Sequence, residues 1–563
     1  MKIIQLDVES MEYEPIEPEI QIYEKIERKA VHVKDALLLL ISIEKGDTEA
    51  YASRALKEAM DFAEKQRIKS IVLYPFAHLS TNLEEPQRAL NLFDYMAKEA
   101  EKGKLKVYRS PFGWNKRLSY SGKGHPLAEM FRSYGEEAKG AAKKTARKID
   151  TSVVKKSDFV GLPETDHRII GERLNLFSFQ EVSPGMVYWH ANGFIIYNEL
   201  VKSLREKLER DGYIEISTPV LANTALFHVS GHLEHYKNNM FLIDSENAEL
   251  GMKPMNCPAT MLVYKSRKWS YRELPVRFSI FDRLYRNEIS GALTGLFRVR
   301  EISMDDAHLF VTDDQIESEI TRMIGLVDEL YAMLGFKYEA YVSTMPDSHL
   351  GDEKLWEKAT SALKNALKAN KIKFGIKEKE GAFYGPKIEF DLTDSMGRKW
   401  TCATIQVDYQ LPRRFELEYT GEDGKQHTPV VLHRAIYGSL ERFIGILTEH
   451  YQGKFPTWLA PIQARVLSIS EQANNYAEEI YEKLKEGKIR VELDVSDKTL
   501  DYKIRDGQTQ KIPYLIILGK RELEGNKISV RNRAGKQKMG LELNEFISSI
   551  KKEIAERSVE QSL

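Results

Sequence analysis

The chain is poor in cysteine: its 563 residues include two, Cys257 and Cys402. That excludes a disulfide framework and points to a reducing compartment. It has almost no net charge, −1 from 83 basic and 84 acidic side chains. No global field therefore draws it to nucleic acid, and RNA contacts must come from local basic surfaces. Long apolar runs are missing. The longest, ALLLLISI at 36–43, falls far short of the roughly 20 residues of a membrane span and reads as a buried strand. The opening MKIIQLDVES has no basic stretch followed by an apolar core, so no signal peptide is expected there, and a cytoplasmic location is. No GxxxxGK followed by Ser or Thr occurs, so a nucleoside triphosphate would be held by side chains rather than by a P-loop.

What remains is a globular composition, 42% hydrophobic and 30% charged, on a chain too long for one core. Residues 1–136 alternate strand-like runs (KIIQLDV, ALLLLISI, SIVLYPF, LKVYRSPF) with two amphipathic helical patterns, EAYASRALKEAMDFAEKQ and QRALNLFDYMAKEAEKG. KGAAKKTARKIDTSVVKK at 139–156 is basic and rich in small residues. It marks a linker over 137–164, either a solvated spacer or a strip facing RNA phosphate. Residues 165–456 carry a strand–turn–strand pattern, and FPTWLAPIQ (455–463) punctuates a boundary. Residues 457–563 alternate strands and helices, with room for about five strands. The expected class is multidomain, α/β and α+β.

The densest chemistry lies in FDRLYRNEISGALTGLFRVREISMDDAHLF (281–310). RLYRNE and LFRVREIS read as antiparallel strands around ISGALTG, with Arg286 and Arg298 at the inner ends. Arginine's planar fork suits phosphate. On spacing alone, a salt-bridged surface strand pair stays open. TPVVLHRAIYGSLERFIGILTEHY (428–451) reads as a strand, a Gly-Ser turn and a helix with Leu440, Phe443, Ile444 and Leu447 as its buried stripe. With Ser439 as cap, Arg442 falls in the first turn. A cation there opposes the helix dipole, a conflict that an anion at that end resolves.

These two stretches resemble motifs 2 and 3 of class II aminoacyl-tRNA synthetases, and GYIEISTPVL (212–221) resembles motif 1. MKPMNCP (252–258), SMDDAHLF (303–310), AFYGPKIEF (382–390), CATIQVDY (402–409) and LHRAIYGSLERF (432–443) narrow the resemblance to the threonyl-tRNA synthetase family, over nearly all of 165–563. The resemblance implies an antiparallel-sheet catalytic core at 165–456 and a homodimer. It implies that ATP with Mg²⁺ activates threonine for transfer to tRNA(Thr). It also implies one Zn²⁺ per subunit on Cys257, His308 and His433, residues that singly would read as a core thiol and structural histidines. Three N/S ligands leave a tetrahedral position open. In the family, threonine's amino and hydroxyl groups fill the shell, with Asp306 accepting the hydroxyl hydrogen bond. Arg286 resembles the α-phosphate ligand, and Arg298 and Arg442 the clamps on the outer phosphates and nucleotide. Glu288 is expected on the adenine or ribose side, and Lys387 near the adenylate. Gln406, Tyr384, Met255 and Cys402 are expected around the aminoacyl group. His232, in VSGHLEHY, matches a histidine implicated in transfer, where a general base would help, with a surface-loop histidine as the alternative. Ile302, Met304 and Thr401 depart from the family's usual residues near nucleotide and substrate.

Residues 1–136 resemble the archaeal editing domain of that family, whose fold is that of D-aminoacyl-tRNA deacylases, through YPFAHLS (74–80) and SPFGWNKRLSYSGKGHPLAEM (110–130). His78, Lys116 and Glu129 occupy its functional positions, with Lys116 as the cation and Glu129 holding Lys116 or the water. Asn115 replaces a frequent tyrosine. The implied activity is hydrolysis of Ser-tRNA(Thr). Residues 457–563 resemble the α/β anticodon-binding domain, with Arg505, Glu522 and Arg531 at base-reading positions. Three rival readings remain: a prolyl- or seryl-type class II enzyme without zinc, a catalytically dead tRNA-binding regulator, and a deacylase fused to a degenerate synthetase. The presence of Arg286, Arg298 and Arg442 speaks against the second.

Overall fold

The structure is a computed structural model that describes residues 1–80, 82–123, 128–134, 161–245, 248–394 and 397–563. The linker expected over 137–164 lies outside the described residues except for 161–164. The chain forms two compact units, Met1–Lys148 and Ile149–Leu563.

The first unit runs β1 (Lys2–Pro18), β2 (Val31–Ser42), α1 (Glu49–Lys65), β3 (Ser70–Pro75), α2 (Pro86–Glu101), β4 (Lys106–Arg109), β5 (Trp114–Gly122) and β6 (Glu129–Ser133). Its sheet has the order β4-β3-β2-β1, with β5 and β6 end to end along the other edge of β1, β5 against Val8–Pro18 and β6 against Lys2–Leu6. The β2, β3 and β4 strands are parallel, so α1 and α2 are their crossovers. Helix α1 buries Ala52, Ala55, Leu56, Ala59, Phe62 and Ala63, a helical stripe packed over Leu37, Leu39 and Ile41. On the sheet's other face Leu38, Leu40, Leu6 and Val8 form a second core. Coverage on both faces is why β2 reads as a continuous apolar run. Strand β1 extends well past KIIQLDV because Met11, Tyr13 and Pro15 alternate inward between polar neighbours. The turn-rich sequence 110–130 holds two further strands that the expected pattern lacked. Their polar character comes from their place at the sheet edge.

In the second unit, α3 (His167–Arg173) and α4 (Ala191–Arg210) precede β7 (Ile214–Glu215), α5 (Cys257–Lys265), β8 (Val276–Ile280), β9 (Arg283–Tyr285) and β10 (Glu301–Val311). Then come α6 (Ile316–Met333), β11 (Tyr338–Ser343), α7 (Glu353–Ala369), β12 (Phe374–Lys377), β13 (Lys387–Thr393), β14 (Lys399–Asp408), β15 (Val430–Ser439) and α8 (Leu440–Tyr451). The sheet order is β12-β11-β13-β14-β15-β10-β8-β7, with β9 beside β10. It is antiparallel except at its two ends. Helices α6, α7 and α8 share one core with β10, β13, β14 and β15. Leu440, Phe443, Ile444 and Leu447 of α8 are all buried, each stabilising by about 1.5–3 kcal/mol.

The C-terminal part holds β16 (Ala464–Ser468), α9 (Asn474–Glu486), β17 (Val491–Asp494), α10 (Leu500–Thr509), β18 (Tyr514–Leu518), β19 (Ile528–Asn532), β20 (Gln537–Leu541) and α11 (Leu543–Ala555). The sheet order is β17-β16-β18-β19-β20. Helix α10 was not expected: it fully buries only Lys503 and Gly507, and its apolar side is just Leu500 and Ile504, partly buried against Leu467, Leu515 and Ile517. Among the described residues no helix is long and apolar enough to cross a membrane.

Candidate functional site

Strand register builds the site. Lys387 on β13 stands opposite Gln406 on β14, Gln406 opposite His433 on β15, and His433 opposite His308 on β10. Directly paired residues share a sheet face, so these four side chains form one row across four strands. Cys257, at the start of α5, comes down on that row. The ligand atoms of Cys257, His308 and His433 all lie within 4.8 Å of one another. They line a cavity of about 310 Å³ together with Met255, Arg286, Met304, Asp306, Tyr384, Lys387 and Gln406.

The donor set fits a zinc-type metal. His433 Nε2 lies 2.9 Å from Asp408 Oδ2, which leaves its Nδ1 for a cation. His308 Nδ1 is buried without a hydrogen-bond partner. Burial holds His308 well below the ordinary histidine range, in the neutral form that ligates metals. Burial, with Asp306 and Asp408 nearby, pushes the Cys257 thiol well above its ordinary range, so a cation is needed to hold the thiolate. Asp408 is itself fixed, its Oδ1 accepting the Gln410 and Leu411 N–H groups at 2.7 and 3.0 Å. The sequence reading missed this residue, although its place two residues beyond Gln406 on one strand puts it on the same face.

Around the ligands, Asn256 Nδ2 donates to Asp306 Oδ2 at 3.3 Å, and burial raises the Asp306 carboxyl. Tyr384 donates to Gln406 Oε1 at 2.7 Å. Lys387 Nζ pairs with Glu389 Oε1 at 2.5 Å. His232 is fully buried, which corrects the surface-loop alternative. Its Nε2 lies 3.3 Å from Met255 Sδ and 3.9 Å from Cys257 Sγ. Burial lowers its pKa to about 3, so it stays neutral and is a weak base. Cys402 is also a correction: it packs in the main apolar core and does not line the cavity. Its thiol suits that core, where burial pushes it up to about 12.

The arginine segment is a hairpin, but a shorter one than expected. Leu284 pairs with Ile302, and the Arg286 N–H bonds the Arg300 carbonyl at 2.9 Å. Residues 287–300 form an irregular loop rather than a strand. Arg298 is half exposed and pairs with Glu288 at 3.2 Å. Ser439 caps α8 by accepting the Arg442 N–H at 3.2 Å, so Arg442 does sit in the first turn. Its guanidinium donates to the carbonyls of Phe297 and Thr401, at 3.0 and 3.3 Å. Burial lowers its pKa, and the charges of Arg286 and Arg298 lower it further, so three arginines converge. Ile302 is buried against Leu284 and Val299, and the Thr401 hydroxyl donates to Asp391 at 2.6 Å.

In the first unit, Lys116 and His78 line a cavity of about 580 Å³ with Ser42, Phe76, Trp114 and Glu19. Lys116 Nζ donates to the Pro111 carbonyl at 2.8 Å and lies 4.6 Å from the Tyr74 ring centre. Burial lowers its pKa to about 8, against the charges of Glu19 and Glu24. Glu24 pins the preceding loop, accepting the Phe112 N–H at 2.7 Å with its side chain and the Trp114 indole at 2.8 Å with its carbonyl. Gly113, at φ +78°, is where that loop needs glycine: a Cβ would lie 2.6 Å from the Ile22 carbonyl oxygen. Glu129 is a correction. It pairs with Leu6, whereas Lys116 pairs with Pro15 much further along β1, and Glu129 is exposed. Among the described residues, the carboxylates whose charge acts on Lys116 are Glu19 and Glu24. Asn115 is exposed beside Lys116.

In the C-terminal part, Arg505 is exposed on α10. Arg531 is half-buried on β19, its Nε without a partner. Glu522 spends both oxygens locally, accepting from Gly519 N at 3.0 Å and Ser529 Oγ at 2.7 Å.

Three family models match the chain. Residues 1–134 match the archaea-specific editing domain of threonyl-tRNA synthetase, 237–451 the tRNA synthetase class II core domain (G, H, P, S and T), and 463–553 an anticodon binding domain. A threonine–tRNA ligase of Thermotoga petrophila is 50% identical over 396 residues, 70% of this chain and 62% of that protein. One from Caldanaerobacter subterraneus is 50% identical over 394 residues, 70% of this chain and 61% of that protein. The chain thus spans about three fifths of the length of these curated relatives. The RNA binding domain of threonyl-tRNA synthetase from Cryptosporidium parvum superposes with a TM-score of 0.67 at 40% identity, covering 70% of this chain and 99% of that one. A putative threonyl-tRNA synthetase from Aeropyrum pernix gives 0.61 at 27% identity, covering 71% and 98%.

Proposed function

The chain belongs to the threonyl-tRNA synthetase family of class II, and we propose that it is itself a threonine–tRNA ligase that edits its own errors. It activates threonine with ATP and Mg²⁺, transfers it to tRNA(Thr), and hydrolyses Ser-tRNA(Thr) in residues 1–136. Residues 165–456 carry the synthesis and 457–563 the anticodon contact, in a cytoplasmic homodimer. The observation that carries this reading is the Cys257–His308–His433 trio, closed to within 4.8 Å at the wall of a cavity that also holds Asp306 and Arg286.

A Zn²⁺ held by Cys257, His308 and His433 supplies a Lewis-acid position for an amino acid that has both an amino and a hydroxyl group. The chain's own residues do the rest. Asp306 accepts a hydrogen bond from the substrate hydroxyl, relieving the cost of its burial. Gln406, on the cavity wall, accepts from Tyr384 with its carbonyl oxygen, which leaves its amide N–H groups to donate to the substrate. Arg286, on the cavity wall, counters the charge that develops on the α-phosphate as the threonine carboxylate attacks. Arg298 and Arg442 hold the rest of the nucleotide, Glu288 keeps Arg298 in place, and Lys387 borders the adenylate. His232, with Met255, acts at the transfer step as a neutral hydrogen-bonding group, since its low pKa gives little power to remove a proton. Arg505, Arg531 and Glu522 contact anticodon bases.

Valine lacks the hydroxyl and leaves the buried Asp306 without that donor, a loss of roughly 10⁴-fold. Serine keeps it and lacks one methyl, which a pocket penalises by only about 1–3 kcal/mol. Synthesis alone therefore misloads serine. The Lys116 ammonium, flanked by His78, then stabilises the tetrahedral oxyanion of Ser-tRNA hydrolysis. Charging assays with serine and tRNA(Thr) test this. Lys116→Ala should accumulate Ser-tRNA while threonine charging stays at the wild-type rate. Ser-tRNA accumulation by the wild type to the same level refutes the editing role.

A further inference from the structure

The loop that carries Arg298 is fastened from behind by a histidine outside every motif named above. His167, the first residue of α3, is fully buried. Its Nδ1 lies 2.8 Å from Glu449 Oε1 on the last turns of α8. Its Nε2 accepts the Leu296 backbone N–H at 3.0 Å. The second bond fixes the tautomer: Nε2 is the acceptor, so Nδ1 carries the proton and donates to Glu449. The imidazole lies 4.2 Å from the Phe297 ring, centre to centre. Gly295, at φ +49°, closes the loop over it, and a Cβ there would run into His167 Nε2.

The link continues to the nucleotide side. The Phe297 carbonyl accepts Arg442 Nε at 3.0 Å. The Phe297 ring packs on Trp400 at 4.7 Å, and the Arg442 guanidinium lies 5.3 Å from the Trp400 ring centre. Asp166, His167 and Glu449 also have the makings of a metal-ligand set. But Arg168 grips Asp166 with two hydrogen bonds, 2.9 and 2.8 Å, and the His167–Glu449 separation is that of a direct hydrogen bond. A hydrogen-bonded staple accounts for the cluster.

We infer that His167 is a positioning residue: it ties the Gly295–Phe297 turn to α8, fixes the relation of Arg298 to Arg442, and so tunes ATP affinity without touching the amino-acid site. This rests on reading those arginines as the nucleotide clamp. None of the cavity-lining residues around Cys257 touches His167 through the bonds just described, which is why the effect is confined to ATP.

The test is ATP–pyrophosphate exchange by the full-length protein, with KM for ATP and for threonine measured separately. His167→Phe keeps the ring packing and loses both hydrogen bonds. It should raise the ATP KM by about tenfold, with threonine KM and bound zinc unchanged. His167→Gln, which offers an acceptor to Leu296 and a donor to Glu449, should restore most of the loss. An unchanged ATP KM in His167→Phe, an equal rise in both KM values, or no rescue by glutamine in a folded protein overturns the inference. If His167→Phe does not fold, Gly295→Ala pushes on the same contact from the loop side. It must raise the ATP KM selectively, and an unchanged value overturns the inference equally. Arg442→Ala separates the two levels. No ATP effect there means that the nucleotide reading itself has failed; an ATP effect there but none in His167→Phe or Gly295→Ala means that only the staple has.

Discussion

Asp408 shows how much of this site depends on a side chain that touches no substrate. Its carboxylate is spent on two backbone N–H groups and on His433, so the imidazole that faces Cys257 and His308 is held in one orientation. Partners of this kind are worth tenfold to a hundredfold in metal affinity. Asp408→Asn should therefore weaken zinc retention by about tenfold or more in a chelator competition, with the fold intact. Lys116 gives a prediction of a different kind. Burial brings its pKa down to about 8, so the ammonium is present below that pH and lost above it. Ser-tRNA hydrolysis should fall roughly tenfold between about pH 7 and about pH 9. Lys116→Arg, charged throughout, should flatten that limb of the profile wherever it retains activity. A wild-type rate that climbs smoothly over that range would count against Lys116 as the working cation.

At the scale of elements, α8 joins fold to function through its first turn. Ser439 caps it, and the Ser439 hydroxyl also donates to Glu441, a buried carboxylate that accepts the Ser303 N–H at 3.1 and 3.0 Å. Ser439→Ala should cost about 1 kcal/mol of stability and raise the ATP KM through Arg442. Arg490 is one of the contacts in the join between the catalytic and C-terminal parts, beside the Arg557–Glu206 pair and the bond from Arg533 to the Phe455 carbonyl. It donates to Glu199 of α4 at 2.7 Å and to the carbonyls of Trp458 and Ala460 at 2.6 and 3.0 Å. Arg490→Ala leaves three acceptors unmatched and loosens that join. Threonine activation should stay within about twofold of wild type, while tRNA charging drops several-fold more. Equal losses in both assays would mean that the contact supports the catalytic core rather than the engagement of tRNA.

Across the whole molecule, the division of labour was more legible than the geometry. Apolar β2, the stripe of α8 and the Ser439 cap follow from spacing, and the structure has them where spacing put them. The metal trio was legible only through its motifs. Cys257, His308 and His433 lie far apart in sequence; the pairing of β10 with β15 brings the two histidines together and the start of α5 adds the thiol, which no local pattern encodes. Helix α10 was invisible because its apolar side is only Leu500 and Ile504, too short a stripe to stand out. Glu129 misled because a motif position does not tell that β5 and β6 pair with different lengths of β1, which sets Glu129 apart from Lys116. Asp408 and His167 drew no notice because their work lies in partners that only the tertiary fold supplies.

The most direct test of the central claim is a single preparation of the full-length protein, assayed for bound zinc and for ATP–pyrophosphate exchange with threonine, serine and valine. The account predicts about one zinc per chain, exchange with threonine, weaker but measurable exchange with serine and none above background with valine, and loss of both zinc and exchange in Cys257→Ala. A protein that carries no zinc yet activates threonine, or one that activates valine as well as threonine, would contradict it.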